Sequence, residues 1–328
     1  EMVYESRVND IITLGATSWR IQQITHDQVL VVPAPGRPAR LPFWRGEGVG
    51  RSADSGASLG LFLRNLNSAS PDDAQQQLHA LGLDTHAVTN LLALLAEQRV
   101  ATGVLPDDRT LLIERCRDET GDWRVILHSP WGKRVNAPWA LAISARIQLR
   151  MGIDASVAAS DDGIVARFPA SEGHLPGADL FMFDADQLTQ DVTESVGQSA
   201  LFAARFRECA SRALLLPRRN PGKRSPLWQQ RLRAGQLLDV ARQYDDFPIL
   251  IETARECLHS VYYLPALHQL MEQLPQRNGR LVAVPTEQPY PFSAPPLVGY
   301  TTDIIYASDS ATAKPHNSLP PLDRQLHG

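Results

Sequence analysis

Alternating apolar and polar positions dominate the first 50 residues and predict β structure there. Residues 17–24 (TSWRIQQI) alternate as a half-buried strand requires, and residues 28–32 (QVLVV) form a second short run. Prolines are then dense over residues 33–42, where they forbid a helix and interrupt strand ladders. We therefore expect a small β-barrel-like module or curled sheet over residues 1–52, followed near its end by an extended surface strap.

The pattern changes to a helical period over residues 53–105. Ser70 followed by Pro71 is a helix start, with a serine cap and a proline in the first turn. Asp84 caps a further predicted helix, whose apolar residues recur at helical spacing until Gly103. This segment is therefore predicted to consist of short helices.

The alternation typical of strands and the period typical of helices both occur in residues 106–184. Thr110–Arg117 and Trp123–His128 alternate and predict a hairpin, and a helix over residues 136–151 follows. The turn at residues 160–163 (SDDG) joins two more short strands. This order of elements predicts a mixed α/β segment that resembles a winged helix.

The remainder of the chain is mainly helical, with one short strand over residues 281–284. The predicted helices cover residues 185–196, 198–215, 226–243, 249–260 and 264–274. Residues 185–306 form this helical region, and residues 307–328 have no period and predict an irregular tail. The whole pattern predicts an α+β fold, in which a β-rich entry module precedes helical layers around a central mixed sheet.

Composition is that of a globular protein with a sizeable core. The chain has 328 residues, 43% of them hydrophobic and 21% charged. No apolar run approaches the roughly 18 residues that cross a bilayer, and no leader is evident, so we expect a cytoplasmic protein without a membrane partner. The three cysteines form no CxxC pair, which predicts buried thiols rather than disulfides or a zinc site. The opening residues Glu1 and Met2 read like the interior of a longer protein.

Sequence motifs for catalysis are missing. The chain has neither a GxxxxGKS/T phosphate loop nor an acidic box of the DExH or DExD type, so we expect no ATP hydrolysis by this chain alone. The best carboxylates for a nuclease metal site are Asp161 and Asp162 with Glu114 and Asp118. A polar β-turn and solvent-facing strand acids explain these four residues better. We therefore predict no catalytic residue, cofactor or metal here.

Positive charge is concentrated between residues 205 and 233. This stretch contains nine basic residues and one acid, Glu208. The block therefore carries +8 in a chain whose net charge is −4. The nine basic residues are Arg205, Arg207, Arg212, Arg218, Arg219, Lys223, Arg224, Arg231 and Arg233. Such a field predicts a polyanionic partner, with nucleic acid as the first candidate. The alternative is a solvated helical face whose arginines pair with acids elsewhere in the fold.

The basic block divides into a helix face and a loop. Arg205 and Arg212 are seven residues apart and therefore share one face of a helix. The loop over residues 218–224 carries four charges and leads into the start of the next helix, and a helix N-terminus is a natural seat for phosphate. We predict that this loop contacts a sugar–phosphate backbone.

Tryptophan beside a basic residue recurs along the chain, and this pairing binds single-stranded nucleic acid by stacking on bases. Trp19 shares an alternation face with Ile21 and is predicted to be a core ring. Trp44 lies in the Pro/Gly strap and is the better stacking candidate, and Trp131 precedes a further basic pair. The predicted nucleic-acid-binding residues are Arg20, Trp44, Arg45, Arg205, Arg212, Arg218, Arg219, Lys223, Arg224, Trp228 and Arg231.

Several stretches resemble the large helicase-related (Lhr) family of bacterial superfamily 2 DNA helicases. They are residues 8–24, 31–50, 121–130, 160–165 and, most specifically, 199–230 (SALFAARFRECASRALLLPRRNPGKRSPLWQQ). The resemblance covers the region after the two RecA-like motor domains, including the DEAD/H-associated domain. It implies a parent enzyme that hydrolyses ATP with magnesium, translocates 3′ to 5′ on single-stranded DNA and unwinds duplexes and RNA:DNA hybrids, with DNA repair as the expected process.

The same resemblance implies what this region does within the parent enzyme. It would contact single-stranded DNA, with Trp44 or Trp19 stacking on a base, and couple that contact to motor domains absent from the chain. Gly299 and Tyr300 match the family, but a polar stretch over residues 308–323 replaces the helix that follows there. Two other interpretations stay open: a structural brace that docks on the motor domains without touching DNA, and a DNA-base-processing enzyme.

Overall fold

The computed structural model describes most of the chain, which divides into two compact units. The described residues are 6, 8–14, 17–25, 28–35, 50–119, 121–153, 155–169, 177–216, 227–244, 246–276, 280–286, 289–298 and 300. Unit 1 combines residues 1–48 with residues 200–253, and unit 2 combines residues 49–199 with residues 254–328. Each unit is therefore built from two separate stretches of sequence.

Strands and helices follow one another along the described residues. The strands are β1 (Ile11–Leu14), β2 (Thr17–Ile24), β3 (Val29–Pro33), β4 (Thr110–Arg117), β5 (Trp123–His128), β6 (Ser156–Ala159), β7 (Gly163–Phe168) and β8 (Arg280–Pro285). The helices are α1 (Ala53–Ser68), α2 (Pro71–Ala80), α3 (Thr85–Thr102), α4 (Lys133–Met151), α5 (Ala185–Gly197), α6 (Ala200–Arg212), α7 (Leu227–Ala241), α8 (Pro248–Arg255) and α9 (Leu264–Gln276). A π-helical segment, Glu256–Val261, follows α8, and 3₁₀ turns cover Ala178–Leu180 and Pro291–Ser293. None of the helices in the described part of the chain has the length and hydropathy needed to cross a lipid bilayer.

Unit 1 contains a three-stranded antiparallel sheet in the order β1-β2-β3. Ile12 and Ile21 are buried in its small core, and Trp19 packs against them, as its alternation with Ile21 predicts. The β2–β3 register shifts between Ile21 and Gln23, which marks a bulge. The described strands form an open sheet and not the closed barrel that the alternating pattern suggested, because three short strands are too few to close on themselves.

Unit 1 also contains a packed pair of helices, α6 and α7, and most of α8. Helix α6 buries Phe202, Phe206, Cys209 and Ala210, a spacing of four, three and one that places them along one stripe. Helix α7 buries residues 234, 238 and 241 at the same kind of spacing. The basic residues of both helices are left for the remaining faces.

Unit 2 is built on a mixed five-stranded sheet in the order β6-β7-β5-β4-β8. Neighbouring strands are antiparallel except β4 and β8, which run parallel with Thr110 opposite Arg280. Helix α4 packs across β6 and β7, and its Trp139, Ile143 and Ile147 are fully buried. The sheet and α4 therefore bury their facing side chains in a shared part of the core of the unit.

Helix α4 begins three residues earlier than its predicted start at residue 136. Its N-cap is Gly132, whose φ of +86° lies in the left-handed region that suits glycine. No side chain of the cap residue bonds the helix. Instead the carboxylate of Asp161 accepts the backbone N–H of Lys133 at 2.7 Å. A capping acid 28 residues away in sequence extends the helix beyond what its own residues indicate.

The helical module α1–α3 follows the local sequence signals closely. Ser70 caps α2 and Asp84 caps α3, each accepting a backbone N–H three residues ahead, and Gly103 ends α3 with a positive φ. The buried cluster of the module consists of Leu66, Ala74, Leu78, Val88, Leu95 and Leu105. These predicted caps are confirmed.

The α+β fold class is confirmed, and two elements differ from their predictions. The helix predicted over residues 249–260 ends at Arg255 and continues as the π-helical segment. Strand β1 precedes the two predicted strands of unit 1. The division into the segments 1–52, 53–105, 106–184, 185–306 and 307–328 stays a prediction, and the tail lies outside the described residues.

Candidate nucleic-acid interface

The described part of the basic block lies on α6 and α7 of unit 1. Arg205, Arg207 and Arg212 come from α6, and Arg231 and Arg233 come from α7. With Glu208 on α6 and Asp239 on α7 as their acids, the two helices carry a net charge of +3 (five arginines minus two acids). Because α6 and α7 pack against each other, residues far apart in sequence contribute to one basic region of the unit. We call it the α6–α7 basic surface.

Exposure differs between the arginines of this surface. Arg212, Arg231 and Arg233 are exposed, whereas Arg205 and Arg207 are half-buried. Exposed guanidinium groups are weakly hydrated and present planar donors that match phosphate oxygens in pairs. The exposed three are therefore the strongest described candidates for contact with a polyanion.

Arg205 is partly neutralised inside the helix that carries it. Its Nη1 donates to Glu208 Oε2 at 2.7 Å, an i,i+3 pair in which Arg205 keeps 20% of its side-chain exposure. Arg212, two turns further along the same face, donates from Nη2 to Cys209 Sγ at 3.3 Å. Arg205 therefore fits the alternative interpretation, in which basic residues of the block pair with acids of the fold. It is a weaker candidate for contact with a ligand than the exposed arginines.

Arg20 is the described candidate from the sheet of unit 1. It is exposed on β2, paired with Ile11 on one side and Val32 on the other. Its neighbour Ile21 is buried in the core, so alternation directs Arg20 to the opposite face of the sheet. It is accessible to a ligand, and its contact with nucleic acid stays a prediction.

The remaining predicted contacts lie outside the described residues. They are Trp44, Arg45, Arg218, Arg219, Lys223 and Arg224, together with the side chain of Trp228. The assignment of the loop over residues 218–224 to a sugar–phosphate backbone therefore stays a prediction.

The basic pair after Trp131 has a structural role in unit 2. Trp131 is 8% exposed, so it is a core ring and cannot stack on a base in this conformation. Arg134 donates to the carbonyls of three residues of the π-helical segment, 259, 260 and 261. Its guanidinium also lies 5.8 Å from the centre of the Tyr263 ring. This arginine braces the end of a helix whose carbonyls would otherwise lack donors.

The fold creates an exposed arginine–aromatic pair that the sequence pattern does not reveal. The Arg117 guanidinium lies 4.2 Å from the ring centre of Trp123, its cross-strand partner in the β4–β5 hairpin. Arg117 is exposed and Trp123 is half-buried. The alternation of the two strands is visible in the sequence, but only the hairpin register brings these two side chains together.

The acids considered for a nuclease site are all engaged within the fold. Asp161 accepts the N–H groups of Arg51 and Lys133, and Asp162 pairs with Arg51 at 2.8 Å. The Asp118 side chain is almost fully buried between two arginines of β5 and β7, with nitrogen–oxygen distances of 3.5 and 3.4 Å. Within the described residues, histidine, cysteine and acidic side chains form no group of three or more that could hold a metal ion.

The interpretation of Glu114 as a solvent-facing strand acid is wrong, because its side chain is fully buried in unit 2. Its carboxylate accepts hydrogen bonds from the Ser293 hydroxyl and the Tyr290 N–H, and it lies 3.1 Å from His128 Nε2. Burial alone would raise its pKa, but the bonds from His128, Ser293 and Tyr290 outweigh that effect and hold the pKa of Glu114 below its ordinary value. The acid is a structural ion and not a metal ligand facing solvent.

The cysteines are free and buried, as predicted. Burial raises the pKa of the Cys116 thiol to about 11, with the nearby Glu114 carboxylate adding to the effect. A thiol with such a pKa is almost entirely protonated at neutral pH and is a poor nucleophile.

Two protein families match the chain. The family described as "DEAD/H associated" matches residues 105–293, and the family described as "Large helicase-related protein, winged helix domain" matches residues 1–41. The first of these matches covers more than half of the chain and includes all five strands of the unit 2 sheet.

Curated relatives match nearly the whole chain. The "Lhr helicase/ probable uracil glycosylase" of Mycolicibacterium smegmatis is 57% identical over 326 residues, which is 99% of this chain and 22% of that protein. The "Lhr helicase/uracil glycosylase" of Escherichia coli K12 is also 57% identical, over 99% of this chain and 21% of that protein. The "ATP-dependent helicase Lhr-Core" of Sulfolobus acidocaldarius is 24% identical over 310 residues, which is 92% of this chain and 35% of that protein. The chain thus spans about a fifth of the length of the first two relatives.

A solved structure has the same fold. The helicase Lhr of Mycobacterium smegmatis, solved bound to single-stranded DNA and AMP-PNP, superimposes with a TM-score of 0.71 and 58% sequence identity. The match covers 79% of this chain and 33% of that one. The family matches, the relatives and this structure agree with the sequence resemblance, and the chain belongs to the large helicase-related (Lhr) family, of which it carries the DEAD/H-associated region.

Proposed function

We propose that this chain is the single-stranded-DNA-binding accessory region of an ATP-dependent helicase of the Lhr type. The observation that carries the proposal is the similarity, at 58% identity, to a helicase solved with single-stranded DNA and an ATP analogue. In this proposal the chain holds the strand while RecA-like motor domains of the same polypeptide move it. ATP and magnesium bind those motor domains, and translocation runs 3′ to 5′, with DNA/RNA hybrids as further substrates.

The charge of unit 1 supports contact with a polyanion. The helices of the α6–α7 basic surface carry +3 within a chain whose net charge is −4, so positive potential is concentrated there. Each phosphate that an arginine neutralises releases condensed counterions, which makes binding favourable at low salt. Arg212, Arg231 and Arg233 are exposed and would make these contacts directly.

The loop between α6 and α7 would complete the surface. Arg218, Arg219, Lys223 and Arg224 add four charges between two helices that already carry exposed arginines. In the proposal this loop follows the sugar–phosphate backbone, while Trp44 or Trp228 stacks on a base. Such stacking contributes roughly 1–3 kcal/mol per base and tolerates any sequence.

A titration of a fluorescently labelled oligothymidylate with the full chain tests the proposal. We expect weak binding at low salt, with a logarithmic salt dependence of about −0.7 for each phosphate contacted. The variant Arg212→Gln/Arg233→Gln should weaken binding, whereas the control Arg150→Gln/Arg255→Gln, which removes two exposed charges of unit 2, should leave it unchanged. Absence of binding by the unaltered chain at low salt would contradict the proposal.

A structural brace is the second candidate, and the Arg205–Glu208 pair favours it, because part of the basic block is neutralised without a ligand. In that case the α6–α7 basic surface would dock on an acidic surface of the motor domains. Calorimetry of this chain with separately prepared motor domains, in the absence of DNA, would detect the docking.

Base processing is the remaining alternative, and the names of two relatives include a uracil glycosylase. This chain matches only 22% and 21% of the length of those proteins, so the activity has room to lie elsewhere in them. An assay for abasic sites on uracil-containing DNA separates this alternative. In our proposal the isolated chain produces none.

A further inference from the structure

A polar groove in unit 2 lies between the end of α3 and the start of strands β4 and β8. It has a volume of about 250 Å³. Its lining includes Asn67, Arg99, Asp107, Thr110 and Arg280, together with the backbone turn that follows α3. We call it the Arg99–Arg280 groove. It is separate from the α6–α7 basic surface, which belongs to unit 1.

Two guanidinium groups in the groove keep most of their hydrogen-bonding capacity. Arg99 uses only Nη2 within the described part of the chain, donating to the Asn67 carbonyl and to Asn67 Oδ1. Arg280 bonds through its backbone N–H to the Arg109 carbonyl, and its side chain has no acceptor among the described residues. Neither arginine forms an ion pair with a described carboxylate. Each guanidinium has five N–H donors in a fixed fork, so several donors are available to a ligand.

Neutral donors of the groove are also left without partners among the described residues. Thr110 is only 6% exposed and lines the groove, yet its hydroxyl bonds to no described residue. Its oxygen is not one of the fully enclosed side-chain atoms that lack a hydrogen-bond partner, so the hydroxyl is open to the groove and can bond a ligand. Asn67 accepts from Arg99 through Oδ1, which leaves its amide NH₂ as a further donor. The N–H groups of Val104 and Leu105 likewise donate to no described acceptor.

The acid in the groove does not cancel this excess of donors. Asp107 Oδ1 accepts the backbone N–H groups of Arg109 and Thr110, both at 2.7 Å, and so closes the turn before β4. Two guanidinium groups against one carboxylate leave a net positive charge. The carbonyls at the C-terminal end of α3 oppose an anion, and Arg99, in the last turn of that helix, offsets them.

We propose that the Arg99–Arg280 groove binds a phosphate group of a nucleic-acid backbone. The inference rests on the proposed function, since it assumes that the bound polyanion reaches unit 2 as well as unit 1. A volume of about 250 Å³ falls below the roughly 300–1,000 Å³ of pockets that enclose whole cofactors. It suits one phosphate with its sugar. The bonds would come from Arg99, Arg280, Asn67 and the Thr110 hydroxyl.

The variant Arg280→Gln in the full chain tests the groove with little risk to folding, because its side chain bonds no described residue. We expect affinity for a labelled oligothymidylate to fall about fivefold to tenfold, as the loss of one charge-assisted contact predicts. The logarithmic salt dependence should become shallower by about 0.7. Thr110→Val, which keeps the shape and removes the hydroxyl, should weaken binding without changing the salt dependence. Arg150→Gln is the matched control, an exposed arginine of unit 2 that pairs with Asp179.

Pyrophosphate as a small probe separates this inference from the proposed function. It should raise the thermal midpoint of the unaltered chain and of Arg150→Gln, but not that of Arg280→Gln. If the oligonucleotide binds and Arg280→Gln behaves like the control in both affinity and salt dependence, the groove assignment is wrong while the proposed function stands. If the unaltered chain binds no oligonucleotide, the proposed function fails and the groove assignment fails with it. Pyrophosphate protection that Arg280→Gln loses would then show an anion site, but not a nucleic-acid site.

Discussion

Glu114 Oε2 lies 3.1 Å from His128 Nε2, across two neighbouring strands of the unit 2 sheet, and both side chains are almost completely buried. The same carboxylate accepts bonds from Ser293 and Tyr290. One acid therefore ties β4 and β5 to the segment that follows β8, which is 179 residues away in sequence at Ser293.

Glu114→Gln should destabilise unit 2, because the amide places an NH₂ group where the carboxylate accepts several bonds. Breaking one partner of a buried, hydrogen-bonded network costs about 2–4 kcal/mol. Urea unfolding of the full chain measures the change. Glu97→Gln, an exposed position on α3, is the control and should alter stability by less than about 0.5 kcal/mol. Equal stability of the two variants would mean that the buried network contributes nothing.

Stability should depend on pH in the acid range through the same residue. The pKa of Glu114 in the folded chain is lowered from its ordinary value of 4.5. The unfolded chain therefore takes up this proton first, and the stability from the ionised carboxylate is present above about pH 4.5 and is lost as the pH falls through the folded pKa. Urea midpoints between about pH 6 and pH 3 should fall more steeply for the unaltered chain than for Glu114→Gln. Parallel curves would contradict this assignment.

Gly132→Ala tests the close approach at the start of α4. A Cβ added at Gly132 would clash with the Arg51 carbonyl oxygen, and φ there is +86°. Gly82 has a similar φ of +90°, and a Cβ added there would meet no atom within 4 Å, so Gly82→Ala carries the backbone strain alone. We expect about 1 kcal/mol of destabilisation for Gly82→Ala and at least about 2 kcal/mol more for Gly132→Ala. Equal losses in thermal unfolding would show that the chain before α1 moves aside freely.

Local signals in the sequence are sufficient to predict the helix caps of α2 and α3 and the basic block of α6 and α7. Ser70, Asp84 and Gly103 mark helix ends through bonds that span three or four residues, so the printed sequence contains the whole interaction. The basic block on α6 and α7 is evident for the same reason, since charge density needs no partner to be recognised.

Long-range contacts cannot be derived in the same way. Strand β8 pairs in parallel with β4, and the sequence between them gives no register for that pairing. Glu114 alternates like a surface acid, and only Ser293 and Tyr290, brought over it by the chain after β8, make it a buried one. The Arg99–Arg280 groove likewise joins residues from three distant stretches.

Single-stranded DNA binding by the quadruple variant Arg218→Ala/Arg219→Ala/Lys223→Ala/Arg224→Ala tests the central claim most directly. The four charges lie in the sequence between α6 and α7, outside the described residues. We predict that, in a fluorescence titration at low salt, this variant binds clearly more weakly and with a shallower salt dependence than the unaltered chain, while its urea midpoint is unchanged. Unaltered affinity in a folded quadruple variant would contradict it.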